Sequence, residues 1–288
     1  MDCRLNLPSP TEEIIFGGRK FYLKRDELID SNFSGNKARK FHYYLQNHFP
    51  YIKKVISYGS NQSNAMYSLS ALCKIRGWEF EYFVDHIPQY LLDNPQGNYK
   101  KALENGMSIK EGKVDSSSYN DTLFIPEGGR ASSSEYGIEI LAQEILEWRE
   151  QMGLERLSIF LPSGTGTTAL YLQKSLYGSD IVVYTTPCVG DESYLIEQFS
   201  MLQSDSRYHP TILNTPKKYH FGKLYREFYE IWNRLNEQTN IEFDMLYDPK
   251  GWIVVMDNLD IFTEPTLYIH QGGLIGNESM LARYKRKY

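Results

Sequence analysis

No stretch of this chain approaches the roughly 18 consecutive apolar residues that a membrane-spanning helix needs, so no membrane span is expected. Cysteine is scarce. Cys3, Cys73 and Cys188 are odd in number and far apart, which suggests neither a disulfide framework nor a CxxC metal site. Excess positive charge is missing as well. The formal net charge is -5, and a mildly acidic chain carries no electrostatic footprint for nucleic acid or an anionic membrane. Two short basic clusters, Lys217-Lys218 and Lys285-Arg286-Lys287, read as solvated surface. The opening MDCRLNLPSP lacks a basic region followed by an apolar run, so no secretory signal is expected. Repeats, low-complexity tracts and long linkers are absent too. These exclusions point to a soluble cytoplasmic protein of 288 residues, long enough for one large domain or two modest ones.

What is present is an alternation of strand and helix patterns. An apolar run over 55–58 ends at Gly59. Helix spacing follows over 63–76, with Ala65, Met66, Leu69, Leu72 and Cys73 on one face and Gly77 as a stop. Strands are predicted over 79–84, 123–125, 157–161 and 181–184. Helices are predicted over 135–151, 169–176 and 221–236, with the end of another over 100–105. This alternation argues for βαβ units and mostly parallel sheets. In such sheets ligands bind at the carboxyl ends of strands, where loops lead into helix N-termini.

Four segments carry candidate chemistry. In Ser34-Gly35-Asn36-Lys37-Ala38-Arg39-Lys40, Ser34 and Asn36 are good N-cap residues, which puts Lys37 near the first turn of a helix. The partial positive charge there disfavours a protonated amine, a plausible setting for a lysine that attacks an aldehyde. Taken alone, Lys37 reads first as an ordinary exposed lysine. In Gln62-Ser63-Asn64, at a strand-to-helix turn, helix capping by Ser63 is the better single-segment reading, and contact with a ligand is the alternative. In Ser163-Gly164-Thr165-Gly166-Thr167-Thr168, glycines after a strand expose N–H groups, hydroxyls add donors, and the helix dipole favours an anion. Gly164, Gly166 and Ala169 also spell a lone GxGxxA. A dinucleotide fingerprint wants an acid at the end of the next strand, yet that strand runs into Thr185-Thr186-Pro187. A single-phosphate cradle is therefore preferred. The pair Tyr247-Asp248 before Pro249 is, by itself, a turn.

Together and in this order, the four segments resemble the 1-aminocyclopropane-1-carboxylate deaminase / D-cysteine desulfhydrase family of fold type II. Those enzymes depend on pyridoxal 5′-phosphate (PLP). The likeness runs over about 24–273 and is weak over 190–242. The resemblance implies two open α/β domains with mostly parallel twisted sheets and PLP in the cleft between them. The larger domain would be 1–39 plus 129–288, and the smaller 40–128. The stretch from Gly35 to Lys40 is similar to the family's Gly-Asn-Lys-x-Arg-Lys motif, which implies that Lys37 holds PLP as a Schiff base, with Lys40 close by. Asn64 would bond the cofactor's 3′ oxygen, and Gln62 and Ser63 would help to bind the substrate. Ser163, Gly164, Thr165, Gly166, Thr167 and Thr168 would hold the phosphate. Tyr247 would stand beside the substrate and Asp248 near the ring nitrogen. His270-Gln271-Gly272-Gly273 is similar to the family's turn near the ring. Several residues depart from the pattern. Ala65, Met66 and Tyr67 follow Asn64, Met245 replaces a proline, and Gln271 replaces a threonine. Gly129 stands where true cyclopropane deaminases have a cysteine.

The implied function is a PLP-dependent lyase or deaminase acting on a small amino acid, as a homodimer with no metal. The reaction is either β-elimination, as with D-cysteine, or ring-opening deamination, and gives a 2-oxo acid and ammonia. Ser63, Lys37 and Tyr247 are the catalytic candidates. Two other readings stay open at this point. A nucleotide-dependent oxidoreductase would bind NAD(P) tightly through Gly164 and Gly166. A non-catalytic PLP-binding relative would take up cofactor without turning over any amino acid.

Overall fold

A computed structural model describes residues 5–33, 35–114 and 120–288. In chain order the elements are β1 (Thr11–Phe16), β2 (Arg19–Arg25), α1 (Gly35–Gln46), β3 (Lys54–Tyr58), α2 (Asn64–Arg76), β4 (Glu79–Val84), α3 (Gln89–Asp93), α4 (Gly97–Glu104), β5 (Met107–Glu111) and β6 (Thr122–Phe124). There follow α5 (Ser134–Gln151), β7 (Leu157–Ser163), α6 (Thr167–Ser175), β8 (Ile181–Pro187), α7 (Glu192–Leu202), β9 (Thr211–Ile212), α8 (Arg226–Thr239), α9 (Asp248–Asp257), β10 (Thr266–His270) and α10 (Gly276–Lys287). The fold is α/β, as the alternating pattern predicts.

The strands form two sheets. One has the order β5-β4-β3-β6 and is parallel throughout. The other has the order β1-β2-β10-β7-β8-β9. It is parallel except for the β1–β2 hairpin, which turns at Gly17-Gly18. β7 is buried along its whole length, so its LSIFLPS run shows no alternation. Three larger cores result. The first lies on the four-stranded sheet around Val55, Leu69 and Phe80. The second lies between the six-stranded sheet and α5 and α6, around Ile138, Leu141, Ile159 and Leu172. In the third, buried Trp252 stacks on Tyr268 at 4.4 Å and takes the ring edges of Phe16 and Phe21.

One helix expectation needs correction. Helical structure begins at Arg226 rather than Phe221. Tyr225 is extended (φ -120°, ψ 136°), and the Phe221 ring leaves the helix pattern to pack on Tyr247 at 5.2 Å. Among the described residues, no helix is long and apolar enough to cross a membrane, and no group of three or more His, Cys, Asp or Glu side chains is arranged to hold a metal ion.

The fold brings strand ends together. β2, β3, β7 and β10 lead into the loops before α1, before α2, before α6 and before α10. The first three loops hold three of the candidate segments, and the fourth, with the end of β10, holds His270-Gln271-Gly272-Gly273, while Tyr247-Asp248 lies after α8 at the start of α9.

Candidate active site

Lys37 is the third residue of α1, and a remote loop fixes its position. Gly35 has φ +65°, and a Cβ there would run into the backbone oxygen of Gln271. Only glycine permits this close approach. Asn36 N donates to Gln271 O at 3.0 Å, and Asn36 Nδ2 donates to Gln271 Oε1 at 2.8 Å. Gln271 Nε2 in turn donates to Pro162 O at 2.6 Å. The start of α1 is thus pinned to the ends of β10 and β7. Lys37 Nζ reaches Asn36 Oδ1 at 3.3 Å. Burial lowers the Lys37 pKa to about 8, although the nearby Asp244 carboxylate pulls the other way. The reading of Lys37 as an ordinary exposed lysine does not hold, because it is half-buried and lines a cavity. Ser34, expected as a cap, lies outside the described residues.

Asp244 faces this amine. Its Oδ1 accepts from Leu246 N at 2.8 Å and from Tyr247 N at 2.6 Å. Its Oδ2 is buried with no hydrogen-bond partner among the described residues. Burial raises its pKa to about 7. Read from the sequence alone, Asp244 has no role. Its place three residues before Tyr247 was the available signal.

The Ser163–Thr168 segment joins β7 to α6. Gly166 caps α6 at φ +69°, and the Thr165 and Thr167 hydroxyls lie 3.1 Å apart. Lys40 Nζ donates to Gly128 O at 3.0 Å and to Thr165 Oγ1 at 3.4 Å. Burial first, then the charges of Lys37 and Arg130, hold the Lys40 pKa well below its ordinary value. An anion beside it would reverse that penalty. Thr168 Oγ1 is buried with no partner among the described residues, whereas the Ser163 hydroxyl is engaged with Thr185 Oγ1 at 2.6 Å. β8, the strand after this loop, ends at Pro187 and carries no acidic residue. A Cβ on Gly166 would strike the Phe199 ring and approach Leu195 Cδ2 at 3.2 Å. Gly166→Ala is expected to lose about 1–3 kcal/mol of stability, read by denaturant unfolding. Gly164→Ala, whose Cβ meets the Tyr247 phenol at 3.4 Å, should lose less.

Ser63 caps α2, accepting from Ala65 N at 3.1 Å and Met66 N at 3.4 Å. The capping role is therefore real, and the residue also lines the cavity. Asn98, which sequence reasoning missed, donates to Asn64 Oδ1 at 2.6 Å and to Gln62 O at 3.0 Å. Gln62 Nε2 donates to Gln96 O at 3.2 Å, tying the loop to the chain before α4.

Tyr247 precedes α9, and burial, followed by Asp244, raises its phenol pKa well above the usual range. Asp248 is the first residue of α9. It accepts from Tyr268 OH at 2.7 Å and from Asp244 N at 3.0 Å. Burial raises its pKa to about 7, against the pull of His270. All four segments, including Lys37, Lys40, Gln62, Ser63, Asn64, Tyr247 and Asp248, border one cavity of about 690 Å³. That is the size of a small-molecule site. The structure brings every sequence-predicted site residue to it.

No protein-family model matches the chain. A Thermotoga maritima protein, provisionally named 1-aminocyclopropane-1-carboxylate deaminase, is 25% identical over 295 residues, covering 90% of each chain. A solved structure of a 1-aminocyclopropane-1-carboxylate deaminase homologue superposes with a TM-score of 0.81 at 18% identity, covering 99% of this chain and 95% of its own. A threonine deaminase isoform from Solanum lycopersicum superposes with a TM-score of 0.65 at 12% identity, covering 92% of this chain and 82% of its own. Over nearly its whole length the chain is thus similar in sequence to a protein provisionally named 1-aminocyclopropane-1-carboxylate deaminase, and it shares the fold of a 1-aminocyclopropane-1-carboxylate deaminase homologue.

Proposed function

We propose that this chain is a PLP-dependent lyase or deaminase that converts an amino acid to a 2-oxo acid and ammonia. One observation carries the reading. Lys37, with its pKa lowered to about 8, opens on the same cavity as a glycine-and-hydroxyl loop backed by the buried cation Lys40. The residues present fit the cofactor. The unpartnered Thr168 hydroxyl and the Lys40 amine suit its phosphate. The unpartnered Asp244 Oδ2 suits a cation or proton near Lys37.

When bound, the cofactor supplies an electron sink for negative charge on the substrate's α carbon. The chain supplies placement and proton transfer. Lys37 Nζ would hold the cofactor and, once displaced by the substrate amine, move a proton at the α carbon. Asn64, its Oδ1 fixed by Asn98, would turn its amide donor to the 3′ oxygen. Gln62 and Ser63 would hold the substrate carboxylate. Tyr247, kept protonated by burial, would donate a proton on the substrate side. Asp248, oriented by Tyr268, would hold the proton of the ring nitrogen. The relative's name supports deamination, and ring opening and β-elimination of thiol or hydroxyl are the two forms it would take. The same likeness supports a cytoplasmic homodimer, with the cleft between a larger unit of 1–39 plus 129–288 and a smaller one of 40–128.

Covalent uptake requires an unprotonated Lys37, so its rate is expected to rise about tenfold per pH unit below about 8 and then level off. Asp244→Asn removes the charge that favours the protonated amine, so the profile should move to lower pH. Stopped-flow absorbance checks both, and a rate still climbing at about pH 10, as for a free lysine, contradicts them. The function itself is tested by screening D- and L-amino acids with the PLP-loaded protein for 2-oxo acid, ammonia and sulfide. Cofactor uptake with no product from any of them would overturn it.

A further inference from the structure

α10 lines the cavity along one face. Gly276, Ser279, Met280, Arg283 and Arg286 all border it, and spacings of three and four place them on one side of a helix. The face begins just after the loop that pins Lys37 and runs outward from glycine and serine to two arginines. At about 1.5 Å per residue, Arg283 lies about 10 Å and Arg286 about 15 Å along the helix from Gly276. Side chains on a helix tilt toward its N-terminus, so both guanidinium groups lean back toward the site.

Local contacts hold the nearer one. Arg283 Nη2 donates to Gly222 O at 2.9 Å. Phe221, the neighbour of Gly222, packs on Tyr247. Arg283 is thereby fixed at the rim of the substrate side. Arg286 Nε donates to Ala282 O of its own helix at 3.2 Å. Neither arginine has a carboxylate partner among the described residues. Basic residues at a helix C-terminus commonly serve the helix dipole, and Lys285 and Lys287 suffice for that. The dipole does not explain two cationic side chains bordering the cavity of a protein whose net charge is -5. Of the acids that border the cavity, Asp244 and Asp248 are buried and Glu127 adjoins the phosphate loop through Gly128, which Lys40 also faces, so none lies on the α10 face. The outer end is therefore an additional, positive subsite.

We propose that Arg283 and Arg286 receive a second anionic group carried on the substrate's side chain. The substrate class is then an amino acid bearing a side-chain carboxylate or phosphate. This rests on the proposed function and narrows it.

The test uses the PLP-loaded enzyme with aspartate and O-phosphoserine as anionic probes and serine and cysteine as neutral ones, each as both enantiomers. Binding is read from the change in visible absorbance, and turnover from 2-oxo acid. At least one anionic probe should bind about tenfold or more tightly than the neutral ones, and the margin should shrink with added salt. Which probe wins identifies carboxylate or phosphate. Arg286→Gln should remove that margin through Kd and KM rather than kcat. Lys285→Gln, on the outer side of the helix, should preserve it. Should Arg283→Gln fail to fold, Arg286→Gln still decides, because among the described residues its side chain bonds only within α10. An enzyme that takes up PLP and binds neutral and anionic probes equally, or keeps its preference in Arg286→Gln, overturns this inference and leaves the proposed function standing. Failure to take up PLP overturns both.

Discussion

Lys37→Ala is expected to abolish covalent capture of PLP, seen as loss of the visible absorbance of the loaded protein, and to lower turnover by about 10³-fold. The argument is local. Lys37 is one of two lysines that α1 turns into the cavity, and the Asn36–Gln271 contacts pin it there, whereas Lys40 is engaged with Gly128 and Thr165 of the phosphate side. The fold should survive the change. Among the described residues the amine's side-chain hydrogen bond is to Asn36 at 3.3 Å, and burial works against its charge. Thermal unfolding of the cofactor-free variant should match or exceed wild type, which separates loss of chemistry from loss of structure. Lys37→Arg should not rescue it, because a guanidinium stays protonated. A variant that still captures the cofactor covalently would show that another lysine does this work.

The second large effect is on stability. Arg39→Ala is expected to cost about 3–5 kcal/mol, because it leaves buried charge without its partner. Arg39 lies two residues after Lys37 and is 1% exposed. It donates to Asp26 Oδ1 at 2.8 Å and to Glu144 Oε1 and Oε2 at 2.7 and 2.8 Å. Lys24 Nζ completes the cluster, 2.7 Å from Glu144 and 2.6 Å from Ser9 O. Two cations thus balance two carboxylates in a closed interior. Removing Arg39 leaves Asp26 and Glu144 to share one lysine. The cluster ties β2, α1 and α5 together directly beneath the Lys37 turn. Loss of cofactor affinity should therefore accompany the loss of stability. Denaturant unfolding measures the first and spectral titration the second. A cost below about 1 kcal/mol, the level of an exposed pair, would contradict this account.

The sequence carried local signals well and distant ones poorly. The helix over Asn64–Arg76 was legible because Ser63 caps it, Gly77 ends it and its apolar residues keep helix spacing. The phosphate-type loop was legible because glycines, hydroxyls and the following helix are contiguous. Lys37 was not legible from its own neighbours. Its position is set through Asn36 by Gln271, which lies 235 residues away from Asn36 in the chain. Resemblance of its motif to a known family made the identification. Asn98 and Asp244 escaped for the same reason, since Asn98 acts on Asn64 and Gln62 and Asp244 on Lys37, partners far away in the chain. The stretch from Phe221 to Tyr225 looked helical because its aromatics fit the spacing, yet contact with Tyr247 overrides that local preference. α10 went unnoticed because its polar face, with Arg283 and Arg286, is turned toward the cavity rather than hidden in a core.

The central claim is that Lys37 Nζ is the atom that holds the cofactor. Borohydride reduction of the PLP-loaded protein, followed by digestion and mass mapping, tests it directly. The account predicts one reduced pyridoxyl-phosphate group, on the peptide containing Lys37 and absent from Lys37→Ala. A label on Lys40 or Lys250, the other buried lysines near the site, or no label at all, would contradict it.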